Sequence, residues 1–391
     1  MAREAVIVEA LRTPLGKRGG KLSGIHPSDL LGGLLRELVE RTGIDPATVD
    51  DVIAGCVMQV GEQSMNIARN AWLAAGLPEE VPATTVERQC GSSQQAVHFA
   101  AQGVVAGAYD IVIACGVEVM SRVPLGANME TYGSPWSENM VARYDGQIVH
   151  QGIAAELIAD RWELSRRTMD EFSASSHARA AKATEEGAFA AEIVPIQVAV
   201  GGISELMTTD EGIRTPDLEK LAALPPAFRD GGRITAASSS QITDGAAALL
   251  LMTPEKAKEL GLRPRARFTS FAVVGSDPVL MLTGPIPATR SALDRAGMRL
   301  DEIDLVEINE AFASVVLGWK KELGIDDAWF EEHVNVRGGA IALGHPVGAS
   351  GARLMTTLLN ALEQTGGRLG LQTMCEGGGL ANATIIERIA A

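Results

Sequence analysis

The sequence predicts an α/β protein in which one structural unit is used twice. Strand and helix patterns alternate along most of the chain, as expected when helices cover a sheet. Short apolar runs such as Ile111-Val112-Ile113-Ala114-Cys115 and Ala246 to Met252 have the length and composition of buried strands. A loop–helix–glycine–strand unit around Cys90, closing at Gly107 and Cys115, returns around His345, closing at Gly366-Gly367 and Cys375. Two such halves packed together would bring two helix N-termini, and with them Cys90 and His345, to one shared site.

In order, residues 1–60 read as a strand from the N-terminus to Glu9, then a basic glycine-rich loop from Thr13 to Gly24. A helix from about Ser28 to Thr42 and a strand from Asp51 to Met58 follow. Ser64 to Ala75 reads as a helix, and Ala83 to Val86 as a strand leading into Val86-Glu87-Arg88-Gln89-Cys90-Gly91-Ser92. Ser92 and Gln95 have the spacing of a capping box, so a helix should begin close to Ser92. Val97, Ala100, Ala101, Val104 and Val105 would form its apolar face. The alternation implies a largely parallel core. Residues 121–240 differ, with many Pro and Gly, Trp136 and Trp162, and no long strand pattern before Glu192 to Val200. They read as an inserted segment over the core, containing a helix over Asp170 to Glu186. The expected division is 1–120 with 241–264, the insertion 121–240, and 265–391. In the last part, Asp304 to Asn309 and Arg368 to Met374 read as strands and Ser350 to Gln364 as a helix.

Composition narrows the function. The 391 residues carry 34 basic and 49 acidic side chains, a net charge of −15 that disfavours nucleic acid or an anionic membrane as partner. No apolar run is long enough for a bilayer, and no signal-peptide pattern opens the chain, so the expectation is a cytoplasmic protein. The four cysteines, Cys56, Cys90, Cys115 and Cys375, include no C-x-x-C pair, which points away from zinc, and no metal is expected. A special cysteine would act as a single thiol, and Cys90 ahead of a helix is placed to be a thiolate nucleophile. Cys115 reads as core. His345, in Gly344-His345-Pro346, is the natural base for such a thiol. Cys375-Glu376-Gly377-Gly378-Gly379 offers backbone N–H groups that could approach an oxyanion. Asn309-Glu310-Ala311-Phe312 alone fits a simple strand-to-helix junction.

Together these stretches resemble the thiolases, acyl-CoA acyltransferases that work through an acyl-cysteine. The matching segments are Glu9 to Pro14, Arg88 to Ser92, Asp244 to Ala247, Gly284 to Ala288, Asn309 to Ala313, Gly338 to Gly351 and Cys375 to Gly379. The resemblance implies duplicated mixed-sheet halves in a layered αβαβα arrangement with an inserted loop domain. It implies catalysis by Cys90, His345, Cys375, Asn309 and Gly377, with coenzyme A as substrate rather than resident cofactor. His150, Gln151, Ser240, Met281 and Leu282 would contact substrate or CoA, and the assembly would be a homodimer or homotetramer. A ketosynthase-like enzyme would not be expected to combine Asn309-Glu310-Ala311-Phe312 with Cys375. G-x-G-x-x-G after a strand, a P-loop and G-x-S-x-G are all absent. A thiolase-fold lipid carrier would not need the reactive set.

The chain also departs from the family. Glu87 stands where Asn is usual, Glu376 where a small or apolar residue is usual, and Leu380-Ala381-Asn382 replaces a glycine-containing continuation. Gln151 and Leu282 replace the Met and Gly of acetoacetyl-specific members, so acyl chains longer or bulkier than acetyl are expected. Pro225 stands where some members carry an Arg near the adenosine phosphates. Arg214, Lys220, Arg229 and Arg233 are candidates to replace it.

Overall fold

The computed structural model describes residues 3–129 and 133–390; Met1 and Ala2, read above as the lead into the first strand, and 130–132 in the insertion lie outside the described residues. The first half runs β1 (Val6–Arg12), β2 (Gly16–Lys17), α1 (Pro27–Thr42), β3 (Asp51–Gly55), α2 (Ile67–Ala74), β4 (Ala83–Val86), α3 (Ser92–Ala106) and β5 (Ile111–Val119). The insertion carries α4 (Glu138–Arg143), α5 (Gln151–Arg161), α6 (Arg166–Glu185), the ribbon β6 (Ile196–Val200) and β7 (Ile203–Met207), and α7 (Leu218–Ala222). The chain returns through β8 (Thr243–Met252) and α8 (Pro254–Glu259). The second half runs β9 (Ala266–Gly275), α9 (Pro285–Ala296), β10 (Leu305–Ile308), α10 (Ala313–Glu322), α11 (Asp327–His333), α12 (Ser350–Thr365), β11 (Leu369–Glu376) and β12 (Leu380–Arg388).

The strands line up as β4-β3-β5-β8-β1-β9-β12-β11-β10. The halves meet where β1 pairs with β9 through Val6–Arg267 and Ile7–Ala266. Reading outward from that seam, β1, β8, β5 and β3 correspond to β9, β12, β11 and β10. Where β3 pairs with β4 in the first half, a single parallel bridge joins Val306 to Val334 in the second. The duplication is therefore visible in the topology.

The core is mixed rather than largely parallel. β3 pairs in parallel with β4 and β5, and β10 with β11, but the pairings of β8, β1, β9 and β12 are antiparallel. The cause lies in the connections: β11 turns into β12 through a tight hairpin, and the insertion delivers β8 antiparallel to β5, so neither step is a helical crossover.

Three apolar clusters define the layers. Leu31, Leu34, Leu35 and Leu38 of α1 and Trp72 of α2 cover the outer face of the first half. Between the halves, Val97, Ala100, Ala101 and Val104 of α3 pack with Met355, Leu358 and Leu362 of α12 and with sheet residues Ile7, Leu249 and Ile386. Ala288 and Ala292 of α9 and Val316 and Trp319 of α10 cover the second half. Val105, expected on the buried face of α3, is exposed, because it lies at the rim of the helix stripe that the two sheets enclose.

Candidate active site

Cys90 stands on a tight turn between β4 and α3. Gln89 is held at φ 47°, a left-handed conformation uncommon for a side chain of its size, and an isolated bridge links Arg88 to Cys90. Ser92 does not form the expected capping box: Gly91 is the N-cap, without a side-chain bond. Instead the Ser92 hydroxyl donates to Gln89 O (2.6 Å) and accepts from Arg88 N (2.9 Å), stitching the turn that presents Cys90. The start of α12 is pulled onto this turn, with Ala352 N donating to Ser93 Oγ at 2.9 Å. Gly351 allows that approach, since a methyl there would stand 2.6 Å from Gln94 Cβ.

His345 precedes α12, its backbone N–H donating to Thr243 Oγ1 at 3.0 Å. The Ser350 hydroxyl donates to Pro346 O (3.0 Å), so it accepts from His345 Nδ1 at 2.5 Å. That leaves Nε2 as the free base, 3.3 Å from Asn309 Nδ2. Burial, aided by the charge of Arg353, lowers the His345 pKa to about 3, so the imidazole rests neutral. Asn309 Oδ1 is buried without a protein partner.

The Cys90 thiol is pushed up to about 12, by burial first and then by Glu376 and Glu118. The backbone N–H groups of Cys90 itself and of Gly377 act against this, both facing the sulfur. The expectation of a thiolate favoured by the helix start is therefore corrected: Cys90 rests as a thiol and requires a base. Cys375, at the end of β11, is raised well above the ordinary thiol range by burial, by Cys90 and by Glu376. Cys56 and Cys115 are buried in the outer cluster of the first half.

A cleft of about 600 Å³ opens from the insertion to this point, reaching Gln89, His345, Gly377 and Gly378. His150, Gln151, Ser240 and Met281 line it. His150 caps α5, its Nδ1 accepting from Gly152 N at 3.1 Å, and its ring stacks on Phe228 at 5.5 Å. Leu282 does not line the cleft. It packs beside Ile158, Trp162 and Val315 under the insertion, while Met281, at φ 51°, turns toward the cleft in its place. Of the basic candidates, Arg229 pairs with Asp160 (2.9 Å), Arg233 holds Leu164 O (2.6 Å) and Lys220 pairs with Asp217 (3.1 Å). Arg214 reaches Gln241 (3.4 Å), which lines the cleft.

Sequence reasoning missed Glu118. This buried carboxylate accepts from Val57 N (2.9 Å), Met58 N (3.1 Å), Gln63 Nε2 (2.6 Å) and Gly348 N (2.9 Å), locking a first-half loop to the His345 loop. A lone acid closing the apolar run of β5 was its signal. The strain at Gln89 and the orienting role of Ser350 left none.

The duplicated fold, with Cys375 near Cys90 and neutral His345 in the cleft wall, carries the groups expected of an acyltransferase. The chain belongs to the thiolase family: residues 5–255 match the family description "Thiolase, N-terminal domain" and residues 262–388 "Thiolase, C-terminal domain". It is 54% identical to a steroid 3-ketoacyl-CoA thiolase, FadA6, of Mycobacterium tuberculosis, over 99% of this chain and 94% of that protein. It is 47% identical to a 3-ketoacyl-CoA thiolase of Aliivibrio salmonicida, over 99% and 100%. The crystal structure of the Bacillus anthracis acetyl-CoA acetyltransferase superposes with TM-score 0.90 at 39% identity, covering 99% of each chain. Among the described residues no helix is long and apolar enough to cross a membrane.

Proposed function

We propose that the chain is a 3-ketoacyl-CoA thiolase, cleaving 3-ketoacyl-CoA with CoA to acetyl-CoA and a shortened acyl-CoA. The observation that carries this is the Cys90 sulfur facing the backbone N–H groups of Cys90 and Gly377, next to Gln89 and Gly377 of the cleft wall, which also includes neutral His345. His345 Nε2 takes the Cys90 proton, and the thiolate adds to the 3-keto carbon. The oxyanion is met by the N–H groups of Cys90 and Gly377. The Cα–Cβ bond then breaks. The acetyl-CoA enolate oxygen accepts from His345 Nε2–H and from a water held by Asn309, while the Cys375 thiol protonates the carbanion. CoA finally takes the acyl group from Cys90, giving ping-pong kinetics. Coenzyme A is a substrate here, and the reaction needs no further cofactor.

Two variants test the roles. Cys375→Ala should still form acetyl-Cys90 from acetyl-CoA but lose thiolysis and condensation, whereas Cys90→Ala should lose all three. A Cys375→Ala enzyme with near-normal thiolysis would remove Cys375 from the mechanism.

The preferred acyl chain is longer or bulkier than acetyl. Gln151 supports this, together with a cleft walled by flexible Met58, Met120, Met129 and Met281. An added methylene is worth ~1–3 kcal/mol in such a pocket. A kcat/KM that falls steadily from the four-carbon to the eight-carbon 3-ketoacyl-CoA would make this a short-chain enzyme instead. The protein works in the cytoplasm as a homodimer or homotetramer. Leu73 on α2 and Phe99 and Val105 on α3, helices packed on the edge strand β4, support association there, all being exposed.

A further inference from the structure

Glu376 follows Cys375 in β11 and is fully buried, yet neither carboxyl oxygen has a hydrogen-bond partner. It is pressed against Gly91, the residue after Cys90, so closely that a methyl on Gly91 would stand 2.6 Å from Glu376 Cδ. The charged groups facing it come from the turn before α3: Arg88 and Glu87. From β12 only the backbone of Asn382 acts on it, and its titratable neighbours are the thiols of Cys90 and Cys375. Arg88 does not close an ion pair, and its own Nε is buried without a partner.

A buried carboxylate with no ion pair, and only the Asn382 backbone acting on it, is costly, and such a group keeps its proton. Burial accordingly pushes Glu376 up to about 9, opposed by Arg88 and reinforced by Glu87. Near neutral pH it is an uncharged acid and both thiols are spared its repulsion. Once ionised, it disfavours thiolate at Cys90 and Cys375 together.

We propose that Glu376 is a positioning residue for acyl transfer, a neutral acid packed against the Cys90 turn and next in chain to Cys375, whose ionisation withdraws both sulfurs from thiolate chemistry. It rests on the proposed function for the roles of the two thiols.

The test is the rate of iodoacetamide alkylation at Cys90, read by peptide mapping across pH on the full chain. In the wild type the rise with pH should break as Glu376 ionises, and in Glu376→Gln it should continue. The ratio of variant to wild-type rate should therefore grow on the order of tenfold between about pH 7 and about pH 10, one pKa unit on Cys90. Arg88→Met, which keeps Glu376, should move the wild-type break to higher pH, because it removes the cation that opposes protonation. It also serves if Glu376→Gln melts early. A ratio flat with pH, or a break that Arg88→Met leaves in place, would overturn the proposal. A wild type that shows the break but no thiolysis would overturn the proposed activity and leave the Glu376 coupling standing.

Discussion

At Cys90 two effects oppose each other, and their sizes decide. A helix start favours a thiolate by typically ~0.3–1 kcal/mol. Raising a thiol to about 12 by burial and a neighbouring acid costs the thiolate on the order of 4 kcal/mol. Desolvation wins, so the chemistry depends on His345, which the sequence placed correctly before a helix but whose hydrogen bonds it could not show. Because His345 is lowered to about 3, it is already the neutral base at every ordinary pH. The sign follows: protonation of His345 would remove activity only in strong acid. A kcat/KM profile, which reports the free enzyme, should therefore show no acid limb with a midpoint near ~6.5, the ordinary imidazole value. Such a midpoint would mean that His345 is far better solvated than its surroundings imply. Gly91 is equally sensitive, since a methyl there meets Glu376 and must displace the Cys90 turn. Misplacing a reacting atom by ~1 Å can cost ~10²-fold. Gly91→Ala should thus lower kcat/KM at least about a hundredfold, with acetyl labelling of Cys90 lost in parallel.

The elements that sequence pattern located best are those with one strong face. β4 runs Ala83–Val86 as read, and α12 extends one residue past its expected end, because Leu354, Leu358, Ala361 and Leu362 are all buried against the core. α5 went unread: Ala154, Ala155, Ile158 and Ala159 are buried, but so are Gly152 and Glu156, which blurs the period. The mixed sheet implied by the family resemblance is the one found, whereas alternation alone points to a parallel core, because strand direction is fixed by connections and partners that local composition does not encode. The meeting of α3 and α12 was inferred from repetition alone, and the structure supplies its means, in Ser93, Ala352 and Gly351. A methyl at Gly351 would force the two helix starts apart, and overpacking of this kind costs ~1–3 kcal/mol. Gly351→Ala should lower the unfolding free energy by about that amount in urea titration. It should also lower kcat, because the helices it separates carry Cys90 and His345. Unchanged kcat would show that the site tolerates the shift.

Across the whole molecule, one buried guanidinium is central to fastening the ribbon end of the insertion to the duplicated core. Arg12, at the end of β1, donates from Nε to Glu192 Oε1 (2.6 Å) and through Nη1 and Nη2 to Asp210 Oδ1 and Oδ2 (2.7 and 3.0 Å). All three side chains are buried. Glu192 also accepts from Thr357 Oγ1 of α12 (3.0 Å), and Asp210 from Leu15 N (2.8 Å), so both ends of the ribbon β6–β7 are tied to the first half and the Glu192 end to the second as well. A bidentate pair of this geometry adds direction as well as attraction. Removing the cation would leave two carboxylates buried, which is the costly way to break such a cluster, at about 3–5 kcal/mol. Arg12→Met, which keeps the apolar stem beside Phe189, should lose stability in that range and cleave faster around 190–215 under limited proteolysis. Triple replacement with Glu192→Gln and Asp210→Asn should recover part of the loss, since no unpaired charge then remains. If Arg12→Met unfolds at the wild-type denaturant midpoint, the cluster is better solvated than its burial implies, and the insertion is held by apolar packing instead.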